Sequence, residues 1–144
     1  YVIATILIRL LTSSLSDRIG REKTLLIGCF ILVISMLLVG TSNSIVSYIF
    51  AAIIFGIATG ITSPTMFAWT ADLSHEDRRG VGAGTMFIAL EFGIMFGALL
   101  TLVSYDSTKS TIFITFLIGA LMATIACIYL IVIIAKKKKV NTLN

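Results

Sequence analysis

Residues 24–71 read TLLIGCFILVISMLLVGTSNSIVSYIFAAIIFGIATGITSPTMFAWTA and contain no Asp, Glu, Lys or Arg. A second run without these four residue types covers 111–135. A helix crosses a hydrocarbon core of ~30 Å with about 20 apolar residues, so both runs are long enough to span a membrane. A soluble helix of this kind would have nothing against which to bury all of its faces. The sequence therefore predicts an all-α membrane protein.

The overall composition agrees with this class. The mean hydropathy is +1.06 and 12% of the residues are charged, whereas soluble domains carry about 25%. The net charge of +4 does not indicate nucleic-acid binding, because the cations lie in short gaps and in the tail Lys136 to Lys139. Cys29 and Cys127 fall in apolar runs, and buried unpaired thiols are the simpler interpretation. No cofactor or metal site is predicted.

Charge-free runs divide the chain into five predicted spans, the first of them truncated: 1–12, 24–41, 47–70, 80–103 and 111–135. Polar gaps separate them at 13–23, 42–46, 71–79 and 105–110. The domain prediction is a partial transmembrane bundle at 1–139 and a cytoplasmic tail at 140–144. Since the first residue already lies in an apolar run, the chain is expected to be a piece of a longer protein.

Lys and Arg are distributed unequally between the two sides of these spans. The gaps 13–23 and 71–79 and the C-terminal tail together hold nine of them, and the other two gaps hold only Lys109. Short loops rich in Lys and Arg stay on the cytoplasmic side. The asymmetry predicts a multi-pass protein of the cell membrane with 13–23, 71–79 and the C-terminus in the cytoplasm.

The first gap, SSLSDRIGREK at 13–23, carries a recognisable pattern. It resembles the loop signature of the major facilitator superfamily, G-x-L-x-D-R-x-G-R-[KR], which follows the second helix and, in degenerate form, the eighth. Five residues match: Leu15, Asp17, Arg18, Gly20 and Arg21. Ser13 and Glu22 depart from the pattern, as is typical of the second-half copy. Arg9 fits the eighth helix of many such transporters.

The gap that reads ADLSHEDRRG at 71–80 resembles the family's loop between helices ten and eleven. The two resemblances together imply a polytopic helix bundle, part of the C-terminal half of a twelve-helix fold. They also imply that a missing N-terminal half docks an Asp of its own motif where helix eleven begins, beside Arg78, Arg79 and Gly80.

The motif residues also have a physical interpretation. Gly20 permits the sharp turn with positive φ that a short break between helices requires. Arg21 offers a planar fork to a carboxylate, and Asp72 is its candidate partner. The resemblance implies that such pairs form a latch that closes in one conformational state and opens in another. The alternative is a solvated loop whose charges only set the topology.

Glu91 is the one acidic residue within a predicted span. It lies ~16 Å along the helix from Gly80, near the bilayer midplane, where a carboxylate facing lipid is unfavourable. Ala89, Gly93 and Gly97 form a close-packing stripe, and Gly93 is about 200° round the helix from Glu91. We expect Glu91 to bind a proton or cation. The alternative is a buried acid neutralised by a structural partner. Arg9 is the one basic residue within a predicted span, but it lies at a different depth in the membrane, so we do not expect it to pair directly with Glu91.

Three residues share one face of the third span: Gly56, Gly60 and Pro64. Pro64 removes the hydrogen bond to the Gly60 carbonyl, so a kink or flexible point is expected. Helix flexing during gating and static close packing both remain open. Lys136 to Lys139 are expected to anchor the last helix on anionic lipid.

The sequence therefore predicts a secondary transporter that moves a small-molecule substrate across the lipid bilayer by alternating access. The resemblance is strongest to proton-coupled exporters of small amphipathic compounds. A symporter that takes up a metabolite is an alternative, as is a non-transporting sensor or scaffold of the same fold. An enzyme is not expected, because a membrane-embedded active site would need clustered Ser, His, Asp or metal ligands within the spans, and the one histidine, His75, lies outside them.

Overall fold

The chain is described by a computed structural model that covers residues 2–104 and 109–141. It consists of five α-helices and one short 3-10 turn at Glu76–Arg78. The helices are α1 Val2–Ile19, α2 Arg21–Thr41, α3 Ile45–Leu73, α4 Arg79–Ser104 and α5 Lys109–Asn141. Four of them, α2 to α5, are long and apolar enough to cross a membrane. The predicted fold class, an all-α helix bundle of a membrane protein, is confirmed.

The first polar gap is not a loop, contrary to the prediction for 13–23. Helix α1 continues to Ile19 and α2 begins at Arg21, so the only residue between them is Gly20. The change from apolar to polar residues does not end a helix, because helical hydrogen bonds are satisfied within the segment in water as in lipid. The helix ends where a backbone needs positive φ, and Gly20 has φ 99°.

The other helices also extend beyond their predicted apolar spans. Helix α3 starts at Ile45, since Ser44 caps it by accepting a hydrogen bond from the Ser47 amide in a capping box. Helix α5 continues through the lysine run to Asn141, since lysine is a good helix former and favours the negative end of the helix dipole. Residues 105–108 of the fourth predicted gap and 142–144 of the predicted tail lie outside the described residues.

Small residues at the interfaces hold the helices close together. Helix α2 packs on both α3 and α5, and α1 packs on α3. The buried apolar positions are largely small side chains such as Ala51, Ala58, Ala120 and Ala123. Large apolar side chains instead point outward, as Phe30, Phe50 and Tyr129 do. Small residues inside and large apolar residues outside are the arrangement expected of helices packed in lipid.

Helix α4 is the most loosely packed of the described helices, although it contacts both α3 and α5. It touches α3 near its first turns, where Phe87 lies 5.4 Å from Phe67 between ring centroids. No residue of its membrane-spanning part is buried within the described structure. A Cβ added at Gly93 or Gly97 would meet no atom within 4 Å in the described chain. Gly93 and Gly97 of the predicted close-packing stripe therefore have no packing partner among the described residues.

Candidate functional site at the charged end of the bundle

The turn at Gly20 brings two motif residues together. The Gly20 amide donates to the Ser16 carbonyl (3.2 Å), and the Gly20 carbonyl accepts from the Thr24 amide (3.1 Å). With these bonds α1 ends and α2 begins on either side of a single residue, so the last turn of α1 lies beside the first turn of α2. Asp17 and Arg21 face each other as a result. We call the end of the bundle that holds this turn the charged end.

Arg21 is the centre of a network at the charged end. Its Nη1 lies 2.6 Å from Asp17 Oδ1 and donates to Ser16 Oγ at 2.9 Å. Its Nε donates to Asp72 Oδ2 at 2.9 Å. Since Asp72 lies at the end of α3, this last bond ties the α1–α2 turn to a helix far along the chain. Arg21 and Asp72, suggested as partners by the sequence, are paired here, and a latch role stays a prediction.

The exposure of these groups decides how strong the network is. The side chains of Arg21 and Asp72 are 25% and 54% exposed, and that of Asp17 is 64% exposed. Exposed ion pairs contribute about 0–1 kcal/mol each. The hydrogen bond to Asp72 raises the pKa of Arg21, which lies ahead of the apolar span, and Asp17 adds to this effect. The guanidinium stays charged, while each contact with it is weak enough to break.

A cavity of about 440 Å³ adjoins the network. The Arg21 and Asp72 side chains line it together with Trp69 and Leu73 from the end of α3. Opening of the Arg21–Asp72 pair would therefore widen a space that already exists between the α1–α2 turn and α3.

Glu22 forms an ion pair that the sequence did not suggest. Its Oε1 accepts from Lys137 Nζ at 2.6 Å, which joins the start of α2 to the end of α5. The Glu22 side chain is 16% exposed and that of Lys137 is 63% exposed. The Lys137 hydrogen bond lowers the pKa of Glu22, which also precedes the apolar span. Glu22 departs from the family signature at this position. The one sequence feature that was consistent with this ion pair is that Glu22 and Lys137 are both predicted to lie on the cytoplasmic side of the membrane.

The connection between α3 and α4 carries other predicted residues, all of them exposed. Arg79 Nη2 lies 3.9 Å from Glu76 Oε1, and Arg78 donates its amide to the His75 carbonyl at 2.9 Å. These contacts are local. Gly80 is exposed, and in the described chain a Cβ there would meet no atom within 4 Å. The site for an Asp of a second bundle, implied by the resemblance, stays a prediction.

The remaining predicted residues lie apart from the network. Arg9 and Arg18 are exposed on α1. Glu91 is exposed on α4, ~18 Å along the helix axis from its first residue, Arg79. The face of α4 that meets α3 includes Ala89, which lines a cavity of about 350 Å³ between the two helices. Glu91 lies about 200° round the helix from Ala89 and about 40° round from Phe87, which also contacts α3.

The glycines of α3 lie against α1. Thr5 Oγ1 donates to the Gly56 carbonyl at 3.1 Å. A Cβ at Gly60 would lie 3.0 Å from both Ile8 Cβ and the Thr5 carbonyl oxygen. Helix α3 is continuous through Pro64. The contacts of Gly56 and Gly60 show close packing, and flexing at Pro64 stays a prediction.

Comparison with known proteins identifies a family. The chain matches the family model of the Major Facilitator Superfamily over residues 1–143. Multidrug resistance protein 2 of Bacillus subtilis is 28% identical over 81 residues, which are 56% of this chain and 20% of that protein. The matched part thus spans a fifth of the relative's length. No solved structure matches the chain.

Proposed function

The chain belongs to the Major Facilitator Superfamily, and we propose that it forms helices eight to twelve of a secondary transporter that works by alternating access. In this proposal a missing N-terminal half completes the bundle and the translocation path. The unpartnered face of α4 supports it, because the stripe at Gly93 and Gly97 is suited to close helix packing and is open in the described chain.

The observation that carries the proposal is the Arg21 network. Alternating access needs contacts that hold one state and release in another, so each contact must be worth little compared with the substrate's binding energy. The Arg21–Asp72 pair joins two segments far apart in sequence and is partly exposed. In a scaffold without moving parts, such a pair would add no more than about 1 kcal/mol to the free energy of unfolding.

The same end of the bundle is proposed to face the cytoplasm of a cell membrane. The contacts of Arg21 with Asp72 and of Glu22 with Lys137 gather the α1–α2 turn, the end of α3 and the end of α5. These segments and the neighbouring α3–α4 connection hold nine of the Lys and Arg residues. That excess supports the cytoplasmic placement.

We further propose that the transporter exports small amphipathic compounds in exchange for protons. The name of the Bacillus subtilis relative, a multidrug resistance protein, favours export over uptake. Glu91 is the proposed proton site, because it is an ionisable side chain in the membrane-spanning part of α4 and is exposed in the described structure. Intramembrane carboxylates of this kind mark ion pathways.

The test is transport by the full-length protein in proteoliposomes, with the amphipathic cation ethidium as the probe. An imposed pH gradient should drive ethidium against its concentration gradient, and a protonophore should abolish this movement. Glu91→Gln should lose gradient-driven accumulation while keeping ethidium exchange at equal pH, because the variant cannot exchange a proton.

Thr101→Val is the matched control on the same helix. The Thr101 hydroxyl is exposed and is satisfied within α4 by the Gly97 carbonyl at 2.9 Å, so this variant should transport as the parent does. Gradient-driven accumulation that persists in Glu91→Gln would remove Glu91 from coupling. If ethidium does not move but a charged metabolite enters with protons, the protein is an uptake symporter. No movement of any solute would favour a sensor or scaffold.

A further inference from the structure

A second cavity at the charged end adjoins the first and shares Gly20, Glu22 and Lys137 with its lining, but Arg21 and Asp72 do not line it. It has a volume of about 470 Å³ and lies between the α1–α2 turn and the end of α5. Its walls combine charged and apolar side chains, among them Lys23, Lys137, Lys138, Glu22, Ile19 and Ile134. We call it the lysine pocket.

The charge of the lysine pocket favours an anion. Three lysines and one glutamate line it, so its formal net charge is +2. Glu22 is already neutralised by Lys137, whose Nζ lies 2.6 Å from the carboxylate. The exposed Lys23 follows Glu22 in the chain and lines the same cavity. Among the residues that line the pocket, ammonium groups therefore outnumber carboxylates.

The apolar walls of the lysine pocket indicate where this anion comes from. Ile134 is among the last apolar residues of α5 before the lysine run starts at Lys136, and Ile19 lies at the corresponding end of α1. The pocket thus lies where the membrane-spanning parts of α2 and α5 give way to charge. This is the depth of lipid headgroups, and basic pockets between transmembrane helices bind anionic headgroups there.

We propose that the lysine pocket binds one anionic phospholipid. Its phosphate lies among the ammonium groups of Lys23, Lys137 and Lys138, and an acyl chain runs along Ile19 and Ile134. Lys137 is shared between the phosphate and Glu22, so the carboxylate limits the affinity for the lipid. The site does not depend on the proposed transport function.

The test is lipid binding by the full-length protein in a neutral detergent, with bound lipids counted by native mass spectrometry. Phosphatidylglycerol should bind about tenfold more tightly than phosphatidylcholine, since a surface lysine contributes about 1 kcal/mol toward an anionic lipid. Lys23→Ala and Lys138→Ala should each weaken phosphatidylglycerol binding by about fivefold. Glu22→Gln should strengthen it, because Lys137 is released.

Lys139→Ala is the matched control, since Lys139 belongs to the same helical lysine run and does not line the pocket. It should change phosphatidylglycerol binding by less than about twofold. Equal losses for Lys138→Ala and Lys139→Ala, or equal binding of the two lipids, would overturn the proposal. Displacement of the lipid by millimolar inorganic phosphate would also overturn it, by assigning the pocket to a soluble anion. A gain in Glu22→Gln cannot arise from misfolding.

Discussion

At the residue scale, Arg21 and its neighbour Glu22 tie the start of α2 to two other parts of the chain. Arg21 binds Asp72 at the end of α3, and Glu22 binds Lys137 at the end of α5. The first pair could be predicted, because the loop signature marks Arg21 and because Asp72 lies on the same predicted side. The second pair depends on how α2 and α5 pack, and nothing local in the sequence encodes that contact.

Glu22 gives a pH-dependent prediction at this scale. Its pKa is lowered by Lys137 in the folded protein, so the pair stabilises the fold above the ordinary carboxyl pKa and is lost as pH falls through the lowered value. Glu22→Gln should therefore reduce the free energy of unfolding at pH 7 by about 0.5 kcal/mol. The difference from the parent should vanish in acid, where both side chains are neutral. Unfolding midpoints measured over a pH series test this.

Glu76→Gln is the control for that series. Glu76 lies 3.9 Å from Arg79, and their side chains are 88% and 61% exposed. This pair is too solvated to stabilise the fold measurably, so the variant should follow the parent at every pH. A loss in Glu22→Gln that persists unchanged in acid would show that the Lys137 pair is not its cause.

At the scale of the helices, hydropathy predicted the number and order of the elements but not their ends. Apolar spans reflect the thickness of the bilayer, whereas helices end at caps and turns outside it. Thus α1 extends to Ile19 and α5 continues through Lys136 to Lys139. The contact of Gly56 and Gly60 with α1 could not be predicted from the sequence either. A face of small residues indicates that a helix packs closely, but it does not indicate which helix is the partner.

The α1–α3 contact makes a prediction of its own. Gly60→Ala should destabilise the full-length protein by about 1–3 kcal/mol, because the new methyl group would crowd the Thr5 backbone oxygen, which cannot move aside easily. Thermal unfolding in detergent micelles measures the loss.

Gly119→Ala is the matched control. A Cβ there would lie 3.5 Å from Met36 Sδ, an ordinary contact with a flexible side chain. This variant should stay within about 0.5 kcal/mol of the parent. If both variants lose the same stability, general crowding rather than the α1 contact is responsible, since alanine favours a helix more than glycine does.

At the scale of the whole molecule, the described chain contains one well-packed group of helices, α1, α2, α3 and α5, and one helix, α4, with an open face. Glu91 and the glycine stripe both lie on α4. The sequence could assign the family and the membrane class, because a loop motif and charge-free runs are local patterns. It could not assign a substrate, since in the proposed transporter the cavity is shared with helices outside this chain.

The central claim is that the charged end opens and closes during transport. A cysteine at Leu73, which is 72% exposed and lines the cavity beside Arg21 and Asp72, reports on this directly. Cys29→Ala and Cys127→Ala remove the native thiols from the background. The measurement is the rate of alkylation of Leu73→Cys by a membrane-impermeant maleimide in proteoliposomes of the full-length protein.

Our expectation is that this rate changes severalfold when a pH gradient is imposed, and that Asp72→Asn removes the change because the Arg21 pair no longer holds the closed state. Alkylation at the same rate with and without the gradient would contradict it, and would leave the Arg21 network as a static contact between α3 and the α1–α2 turn.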